Sequence, residues 1–368
     1  MRLKFLNYHS GNRIVSIAHD EETKADLTES RLHFIFVKES CLKLYPDDVE
    51  LYTNEISGEQ LRSSHNYDVL EIWNDGQAEW RYDKTASDHT FFITGSCNSN
   101  CIICPEPEYT RKNSGRANIP NLIEIARHIP VSVNHVTITG GEPFMAGEEL
   151  FEFLQFLRNK FKHTEFQILT NGRIFALDKY VQMACRNVPV CTTFGIPIHG
   201  SNPTTHDMIT QAKNSYAQTI AGVKNLLAAG MRVELRIVVT KLNIDEFADI
   251  SDLIIREFSH ADHICVMAPE MTGNAHVNRE AVWVPYSEAF SRISGSVTRL
   301  VKSGVDVRLY NFPLCAVNED FWMLCAKSIS AGKIRYAECC DNCKYRRSCG
   351  GVFSGSLRLE KDDLKPIL

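Results

Sequence analysis

Between residues 89 and 270 the sequence alternates short apolar runs with segments of helical spacing. The apolar runs are "HTFFIT", "HVTITG", "EFQILT", "TTFGIPI", "RVELRIVVT" and "HICVMAP". In an intervening segment, Leu150, Leu154, Leu157 and Phe161 recur at i, i+4, i+7 and i+11, as on one face of a helix. Six strands that alternate with helices predict an α/β fold with a parallel sheet, either doubly wound or closing towards a barrel.

The segments that follow these strands carry the unusual residues of the chain. A cysteine triplet follows the first strand, "GGEP" the second, "TNG" the third, "HGSNPTTHD" the fourth and "PEMTGNA" the sixth. The carboxyl ends of parallel strands meet at one edge of a sheet and form its ligand site. We therefore expect the chemistry of this protein at that edge.

The flanking segments have a different character, and we predict three domains. Residues 1–88 contain β-rich runs and a "DG" hairpin signal in "DVLEIWNDGQAEWRY", which predict a mostly β N-terminal module. Residues 89–304 hold the strand and helix alternation. Residues 305–368 form a cysteine-rich tail that is too short for a large core, so a metal could stabilise it.

Composition excludes some classes of function. The 368 residues carry a net charge of −5 with both signs interspersed, so no basic footprint for nucleic acid stands out. No apolar run approaches the ~18 residues that span a membrane, and the start lacks a signal peptide, which predicts a cytoplasmic protein. Thirteen cysteines in a reducing compartment usually indicate metal.

The triplet has the spacing Cys97-x3-Cys101-x2-Cys104. A cubane 4Fe–4S cluster normally takes four cysteine ligands, so three leave one iron with an open position. An open position is what distinguishes a catalytic metal site from a closed structural one. A partial zinc site or plain reduced thiols are the alternatives.

The motif Gly140, Gly141, Glu142 and Pro143 follows the next strand. Two glycines allow the backbone to approach a ligand closely, and the Glu142 carboxylate can accept hydrogen bonds from an ammonium group. Taken alone, this motif is equally well explained as a turn with a solvated carboxylate.

The triplet and "GGEP", in this order after consecutive strands, resemble the radical S-adenosylmethionine (SAM) superfamily over roughly residues 90–270. The resemblance implies a partial (β/α)6 barrel in which Cys97, Cys101 and Cys104 hold a 4Fe–4S cluster. SAM would chelate the open iron, with "GGEP" at its methionine amino group. The further cofactor contacts it implies are Thr170, Asn171 and Gly172 on the ribose side, and Arg236, Val266 and Met267 less specifically. For Arg236 an ordinary ion pair is the alternative.

The reaction implied by the resemblance is reductive cleavage of SAM to methionine and a 5′-deoxyadenosyl radical that abstracts hydrogen from a substrate. The protein's part would be positioning and exclusion of water.

The tail run Cys340-x2-Cys343-x5-Cys349 resembles the SPASM or twitch auxiliary-cluster segment of peptide-modifying radical enzymes. The further cysteine of the full SPASM pattern is absent, so we expect one auxiliary 4Fe–4S cluster, with Cys315 as fourth ligand. Zinc bound by four cysteines is the alternative. Cys339 could replace Cys340, and Cys325 is spare.

Together "SCNSNCIICPEP", "NFPLC", "SISAGK" and "CDNCKYRRSCGGVF" resemble the His-Xaa-Ser system radical maturases of the C type. The resemblance implies an oxidoreductase-type peptide maturase whose substrate is a ribosomally made His-Xaa-Ser repeat protein. Its partners would be a second radical SAM maturase, a small accessory protein and an external electron donor. A radical enzyme for a small molecule or cofactor precursor, and a non-catalytic partner of a second maturase, are the alternative hypotheses.

Two further groups of residues complete the sequence-based expectations. His199, His206 and Asp207 lie beside the predicted site, where they either bind substrate, move protons or order their loop. The remaining cysteines are expected to be buried small hydrophobic residues: Cys41, Cys185, Cys191 and Cys265.

Overall fold

The structure is a computed structural model that describes residues 3–86, 88–113, 115, 117–330, 332–359 and 363–368. Residues 1, 2 and 87 of the predicted N-terminal module, and Ala331 of "SISAGK", lie outside the described residues.

The N-terminal module is built around a seven-stranded sheet with the strand order β1-β7-β6-β2-β3-β4-β5. Its elements are β1 Leu3–Lys4, β2 Arg13–Ala18, α1 Glu21–Glu29, β3 Phe34–Val37, β4 Leu42–Tyr45, β5 Val49–Leu51, α2 Glu55–Arg62, β6 Val69–Ile72 and β7 Gln77–Tyr82. Strands β2 and β3 are parallel, with α1 between them, and the other neighbours are antiparallel. Strands dominate this module, as predicted, and two helices join them.

Both helices of the module begin at a side-chain cap. The Asp20 carboxylate accepts from the Thr23 backbone N–H at 2.7 Å, and the Asn54 side chain accepts from the Ser57 N–H at 2.8 Å. These side chains satisfy backbone donors that the first turn of a helix leaves free.

The central sheet has eight strands, all parallel to their neighbours and arranged in chain order. They are β8 Asp88–Phe92, β9 His135–Thr139, β10 Glu165–Leu169, β11 Thr192–Pro197, β12 Arg232–Val238, β13 His263–Met267, β14 Val307–Tyr310 and β15 Cys325–Ala326. Strands β8–β13 are the six predicted ones, and β8 and β15 are the open edges of the described sheet. The α/β partial barrel of the prediction is confirmed.

Helices connect the strands of this sheet, and several of them pack apolar side chains against it. They are α3 Glu108–Asn113, α4 Ile119–His128, α5 Glu149–Lys160, α6 Asp178–Asn187, α7 Pro203–Thr210, α8 Ser215–Ala228, α9 Phe247–Glu257, α10 Gly273–Val277, α11 Arg279–Val282 and α12 Tyr286–Lys302. On α5 the predicted stripe Leu150, Leu154 and Leu157 is fully buried. Ile14, Val69 and Tyr82 of the N-terminal module pack into the same core, so the module and the barrel share apolar contacts.

The tail begins inside the central sheet. Strand β14 pairs in parallel with β13, with Val307 opposite Ile264, and β15 pairs with β14. Val307 and Leu309 are buried because they continue the apolar layer of the barrel. The predicted boundary between residues 304 and 305 therefore does not coincide with an edge of the sheet. A short hairpin of β16 Ile334–Arg335 and β17 Val352–Phe353, followed by α13 Ser354–Leu357, completes the tail.

None of the helices within the described part of the chain has both the length and the apolar character to cross a membrane.

Candidate active site

The cysteine loop leaves β8 and lies across the carboxyl ends of the sheet. Backbone hydrogen bonds join it directly to "GGEP". The Gly141 N–H donates to the Thr94 carbonyl and the Glu142 N–H donates to the Ser96 carbonyl, both at 2.8 Å. The two motifs are thus one continuous backbone structure.

The glycines of "GGEP" are required by this contact. A Cβ on Gly140 would lie 2.3 Å from the Thr94 carbonyl oxygen, and one on Gly141 would lie 2.4 Å from that of Gly95. Real Cβ atoms essentially never approach so closely. The sequence argument assigned the glycines to close approach of a ligand, and the structure adds close approach of the cysteine loop.

Two other segments hold the cysteine loop from its far side. The Asn100 N–H donates to the Thr210 carbonyl at 2.9 Å, at the end of α7. From α10, the Asn274 side chain donates to the Cys101 carbonyl at 2.9 Å. Segments that follow three different strands therefore fix the positions of the three thiols.

Glu142 connects "GGEP" to "TNG". Its carboxylate accepts from the Thr170 hydroxyl at 2.8 Å, the Asn171 N–H at 2.7 Å and the Phe144 N–H at 3.1 Å. Burial raises the pKa of this carboxyl, and these hydrogen bonds oppose the rise. Through these hydrogen bonds the buried carboxylate holds "GGEP" and "TNG" together. Glu142 does not line the cleft that lies between these segments.

A cleft of about 260 Å³ lies between these segments, at the carboxyl edge of the sheet. Of the predicted site residues, Cys97, Cys101, Cys104, Gly140, Gly141, Thr170, Asn171, Arg236 and Met267 line it. Glu142, Pro143, Gly172 and Val266 are buried behind the surface of the cleft. Val266 points away because successive side chains of a strand alternate, and its neighbour Met267 faces the cleft.

The three thiols suit a cluster better than a single ion. Burial raises the pKa of all three, that of Cys101 to about 12, so the thiolates form only beside a cation. The sulfur atoms of Cys97, Cys101 and Cys104 do not all lie within 4.8 Å of one another, a distance that other groups of ligand side chains in the described residues do meet. Tetrahedral zinc, at ~2.3 Å from each sulfur, would bring the sulfurs to about 3.8 Å apart. The three sulfur atoms are farther apart than one zinc ion requires, and this separation fits the predicted 4Fe–4S cluster.

Arg236 takes part in both of the roles considered for it. Its guanidinium Nε lies 3.0 Å from Glu234 Oε1, which is an ion pair within one strand. Its side chain also lines the cleft beside the cysteines.

The tail cysteines form a second site. Cys315, Cys340, Cys343 and Cys349 line one pocket, while the Cys339 thiol donates to the Leu364 carbonyl at 3.4 Å and stays outside it. Cys325 is not part of the lining either.

Backbone N–H groups donate to the sulfur atoms of this second site. Cys349 Sγ accepts from Leu314 at 3.5 Å and Gly351 at 3.4 Å, and Cys343 Sγ accepts from Ile367 at 3.4 Å. Such donors stabilise thiolates that bind metal. Four cysteines at one pocket match the predicted ligand set, with Cys340 rather than Cys339.

His199, His206 and Asp207 order their loop instead of facing the cleft. The His199 N–H donates to His206 Nδ1 at 3.2 Å, and Asp207 accepts from the Asn214 and Tyr216 N–H groups at 2.7 Å. Burial lowers the pKa of His199 to about 3 and that of His206 to about 4. Both are neutral and internal at neutral pH.

The four remaining cysteines differ from one another. Cys265 is fully buried, as predicted, while Cys41 and Cys191 are half-buried. The prediction was wrong for Cys185, which is exposed because it lies on the solvent side of α6.

Sequence reasoning missed a larger polar chamber inside the barrel. This chamber, called the lumen below, has a volume of about 920 Å³ and begins where the cleft ends, since Arg236 lines both. Its polar wall residues include His135, Thr137, Glu165, Gln167, Thr193, Arg232, Glu234, His263, Arg308 and Tyr310. The signal was present in the sequence, as polar residues at alternate positions of strands such as "RVELR" and "HICVM".

This fold and this site define a class, the partial α/β barrels that hold a cysteine-bound cluster at the carboxyl ends of their strands. Residues 91–254 match the radical SAM superfamily. The chain therefore carries a radical SAM domain in this segment. The superfamily implies a 4Fe–4S cluster and SAM as cofactors.

Curated relatives match about half of the chain. An AdoMet-dependent heme synthase of Nitratidesulfovibrio vulgaris is 26% identical over 184 residues, which are 50% of this chain and 48% of the relative. The protein of the same name from Methanosarcina barkeri is 22% identical over 190 residues, 50% of this chain and 51% of the relative. The chain thus spans about half the length of the curated relatives it matches.

Solved structures align with about 60% of the chain at low identity. Streptococcus suis SuiB bound to the precursor peptide SuiA aligns with a TM-score of 0.49 at 12% identity, covering 62% of this chain and 49% of SuiB. The protein anSMEcpe with bound AdoMet aligns with a TM-score of 0.47 at 14% identity, covering 60% of this chain and 63% of that one.

Proposed function

We propose that this protein is a radical SAM enzyme that modifies, most simply by cross-linking, a ribosomally made peptide or protein with His-Xaa-Ser repeats. The observation that carries the enzymatic part is the direct joining of the cysteine loop to "GGEP" and "TNG" around one cleft. The identity of the substrate rests on the sequence resemblance to the His-Xaa-Ser maturases.

In this proposal each part of the cleft has a task. Cys97, Cys101 and Cys104 would hold the 4Fe–4S cluster, and Gly140, Gly141, Thr170 and Asn171 would line the place of SAM. When bound, the cluster and SAM supply reductive cleavage of SAM and a 5′-deoxyadenosyl radical that abstracts hydrogen. The apolar side chains Leu169, Val238 and Met267 line the same cleft and keep water away from it.

The lumen supports a substrate that enters from the end of the barrel opposite the cysteines. Glu165 and Arg232 line the lumen and are exposed, so the chamber reaches the protein surface at the amino-terminal ends of the strands. A volume of about 920 Å³ accommodates several side chains of a peptide.

The partners of the proposed reaction follow from its chemistry. Cross-linking is a net oxidation, so an electron must leave the site, and an auxiliary 4Fe–4S cluster at Cys315, Cys340, Cys343 and Cys349 would accept it. An external electron donor would begin each turnover. A second radical SAM maturase and a small accessory protein are further proposed partners, on the resemblance alone.

A small-molecule substrate is the second candidate, and the names of the curated relatives favour it. Those relatives are named AdoMet-dependent heme synthases, and they match half of this chain.

The deciding experiment incubates the anaerobic, cluster-loaded protein with SAM, a reductant, the second maturase and a His-Xaa-Ser repeat peptide. We expect mass spectrometry to detect loss of two hydrogens from the peptide, and no change with Cys97→Ala. An unchanged peptide mass while 5′-deoxyadenosine forms would reject the peptide and favour the small molecule. Absence of 5′-deoxyadenosine from fully loaded enzyme would favour the non-catalytic partner.

A further inference from the structure

Three side chains of strands β12 and β13 bring three kinds of metal ligand together, and two of them, Glu234 and His263, lie on the wall of the lumen. The donor atoms of Glu234, His263 and Cys265 all lie within 4.8 Å of one another, and all three residues are buried, with 1%, 6% and 0% of their surface exposed. Glu234 lies directly opposite His263 in the paired strands β12 and β13. Cys265 follows two residues later and therefore points to the same face of the sheet.

Two atoms of this trio make no hydrogen bond of good geometry in the described structure, although each lies within ion-pair distance of an oppositely charged group. They are His263 Nε2 and Glu234 Oε1, both buried side-chain atoms. A buried polar atom without a good hydrogen bond destabilises the fold, so an arrangement with two of them favours a bound ligand. The lone pair of Nε2 and the carboxylate oxygens converge on the same small volume, with Nε2 lying 3.3 Å from Glu234 Oε2.

Neighbouring polar side chains orient His263 and Glu234 so that they can bind an ion. His263 Nδ1 lies 2.8 Å from an oxygen of Asp262, whose carboxylate also pairs with Arg232. A carboxylate on one ring nitrogen fixes the other nitrogen as the acceptor, and this is the usual support of a metal-binding histidine. Gln167 donates to Glu234 Oε2 at 2.6 Å and leaves Oε1 for the ion.

We propose that Glu234, His263 and Cys265 bind one divalent cation of borderline softness, for which Zn²⁺ is the representative, on the wall of the lumen. One thiolate, one imidazole and one carboxylate are ligands that zinc accepts, and three protein ligands leave its fourth position open. That position faces the chamber in which the proposed substrate would lie, where the ion would bind a carbonyl, imidazole or hydroxyl group.

The neighbouring Arg236 does not oppose this assignment. Its Nε lies 3.0 Å from Glu234 Oε1 but outside hydrogen-bond geometry. Thiolate and carboxylate together cancel the double charge of the ion, so the guanidinium faces a neutral centre.

The competing arrangement is an imidazolium at His263, because Glu234 and Asp262 outweigh burial and raise the pKa of His263. In that arrangement the Cys265 thiol interacts only with Tyr310 and Glu234, and the contact of Nε2 with Glu234 Oε2 at 3.3 Å lacks good hydrogen-bond geometry. The ion accounts for all three side chains together.

A second trio shows the contrast. His65, Asp68 and Asp83 also lie within 4.8 Å of one another. Their carboxylates already accept hydrogen bonds, however, with Asp68 accepting from the backbone N–H groups of His65 and Lys84. We assign no ion to that group.

The test measures metal rather than activity, so it stands whether or not the proposed peptide is the substrate. Protein loaded anaerobically with iron and sulfide is equilibrated with zinc chloride and desalted. We expect about one zinc per chain, with one sulfur and two or three nitrogen or oxygen neighbours by X-ray absorption at the zinc edge. Loss of the zinc on desalting, or a shell of sulfur alone, would overturn the proposal, since only the iron–sulfur cysteines provide all-sulfur sites.

Substitutions then locate the ion. Cys265→Ser and His263→Gln should each lower zinc retention at least ~10-fold and leave the iron content unchanged. The matched control is Cys191→Ser, which removes a thiol from the lining of the lumen and should retain zinc. Equal zinc in all three variants, or equal loss in all three, contradicts the site. If the variants fail to fold, the absorption spectrum of the unchanged protein still decides.

Discussion

At the scale of single residues, the space around Gly141 limits what the cysteine loop tolerates. A Cβ at this position would lie 2.4 Å and 2.6 Å from two carbonyl oxygens of the loop, so Gly141→Ala must displace the loop. We expect a loss of about 1–3 kcal/mol of stability and a marked loss of iron from the first site, measured by urea unfolding and iron quantitation.

The control for this substitution is Gly295→Ala. Gly295 lies inside α12, and a Cβ added to it would have no other atom within 4 Å, so alanine should be neutral or stabilise the helix by ~0.5–1 kcal/mol. Retention of full iron by Gly141→Ala would mean that the close backbone contact does not shape the site.

The buried pair His199 and His206 makes stability depend on pH. Burial lowers their pKa values to about 3 and about 4, against about 6.5 in the unfolded chain. Below pH 6.5 the unfolded state therefore binds more protons, and stability falls as pH falls. Between pH 6.5 and pH 5 we expect a loss of up to about 2 kcal/mol for each histidine, measured by urea unfolding.

His199→Gln should reduce this pH dependence, while His9→Gln at an exposed position should leave it unchanged. The same slope in all three proteins would contradict the assignment of the two histidines.

At the residue level, the sequence motifs named residues that lie together in the structure. Cys97, Cys101, Cys104, Gly140 and Gly141 line one cleft, as their order along the chain suggested. The spacing of a motif does not show which groups donate hydrogen bonds to its carboxylate. The hydrogen bonds from Thr170 and Asn171 to Glu142 were therefore not predicted.

At the scale of elements, β14 belongs to the barrel although it lies in the predicted tail. A chain that ends at residue 304 loses Val307 and Leu309 from the core, at about 1.5–3 kcal/mol for each buried side chain, and leaves β13 as an unpaired edge. We expect it to aggregate or to melt at a clearly lower temperature, as measured by size-exclusion chromatography and circular dichroism.

The matched control is a chain that ends at residue 327 and so keeps β14 and β15. It should be the more stable of the two truncated chains. Equal melting temperatures for the two would show that the sheet does not depend on β14.

Strong periodicity explains which elements were predictable. The six apolar runs became β8–β13, and the leucine stripe became the buried face of α5. Helices α1 and α2 were missed because they are short and lack a repeated apolar stripe, and side-chain caps at Asp20 and Asn54 mark their starts instead.

The lumen escaped prediction for a related reason. Its wall is formed by residues such as Glu234 and His263, which lie on different strands and meet only when the sheet curls. Alternating polar residues indicate that one face of a strand is polar. They do not tell whether that face meets solvent or a chamber.

At the scale of the whole molecule, seven of the thirteen cysteines lie in two separate sets. Three thiols border a cleft and four line a pocket in the tail. Two cubanes would bring about eight irons per chain, so Cys97→Ala and Cys340→Ala should each leave about four. Iron and sulfide quantitation on anaerobic protein measures this, and about four irons together with zinc that is lost in Cys340→Ala would assign the tail to zinc.

The two cavities share one lining side chain. Arg236 lines both the cleft at the cysteines and the lumen, so in the proposed reaction a radical formed in the cleft would act on a molecule bound in the lumen. Gly195 leaves the space for this arginine, since a Cβ there would lie 3.3 Å from Arg236 Cδ.

The most direct measurement of the central claim is the formation of 5′-deoxyadenosine. Anaerobic, cluster-loaded protein is incubated with SAM and dithionite, and the products are separated by liquid chromatography and identified by mass spectrometry. The account predicts 5′-deoxyadenosine and methionine from the unchanged protein and none from Cys97→Ala, Cys101→Ala or Cys104→Ala. Intact SAM after incubation with fully loaded, reduced protein would contradict it.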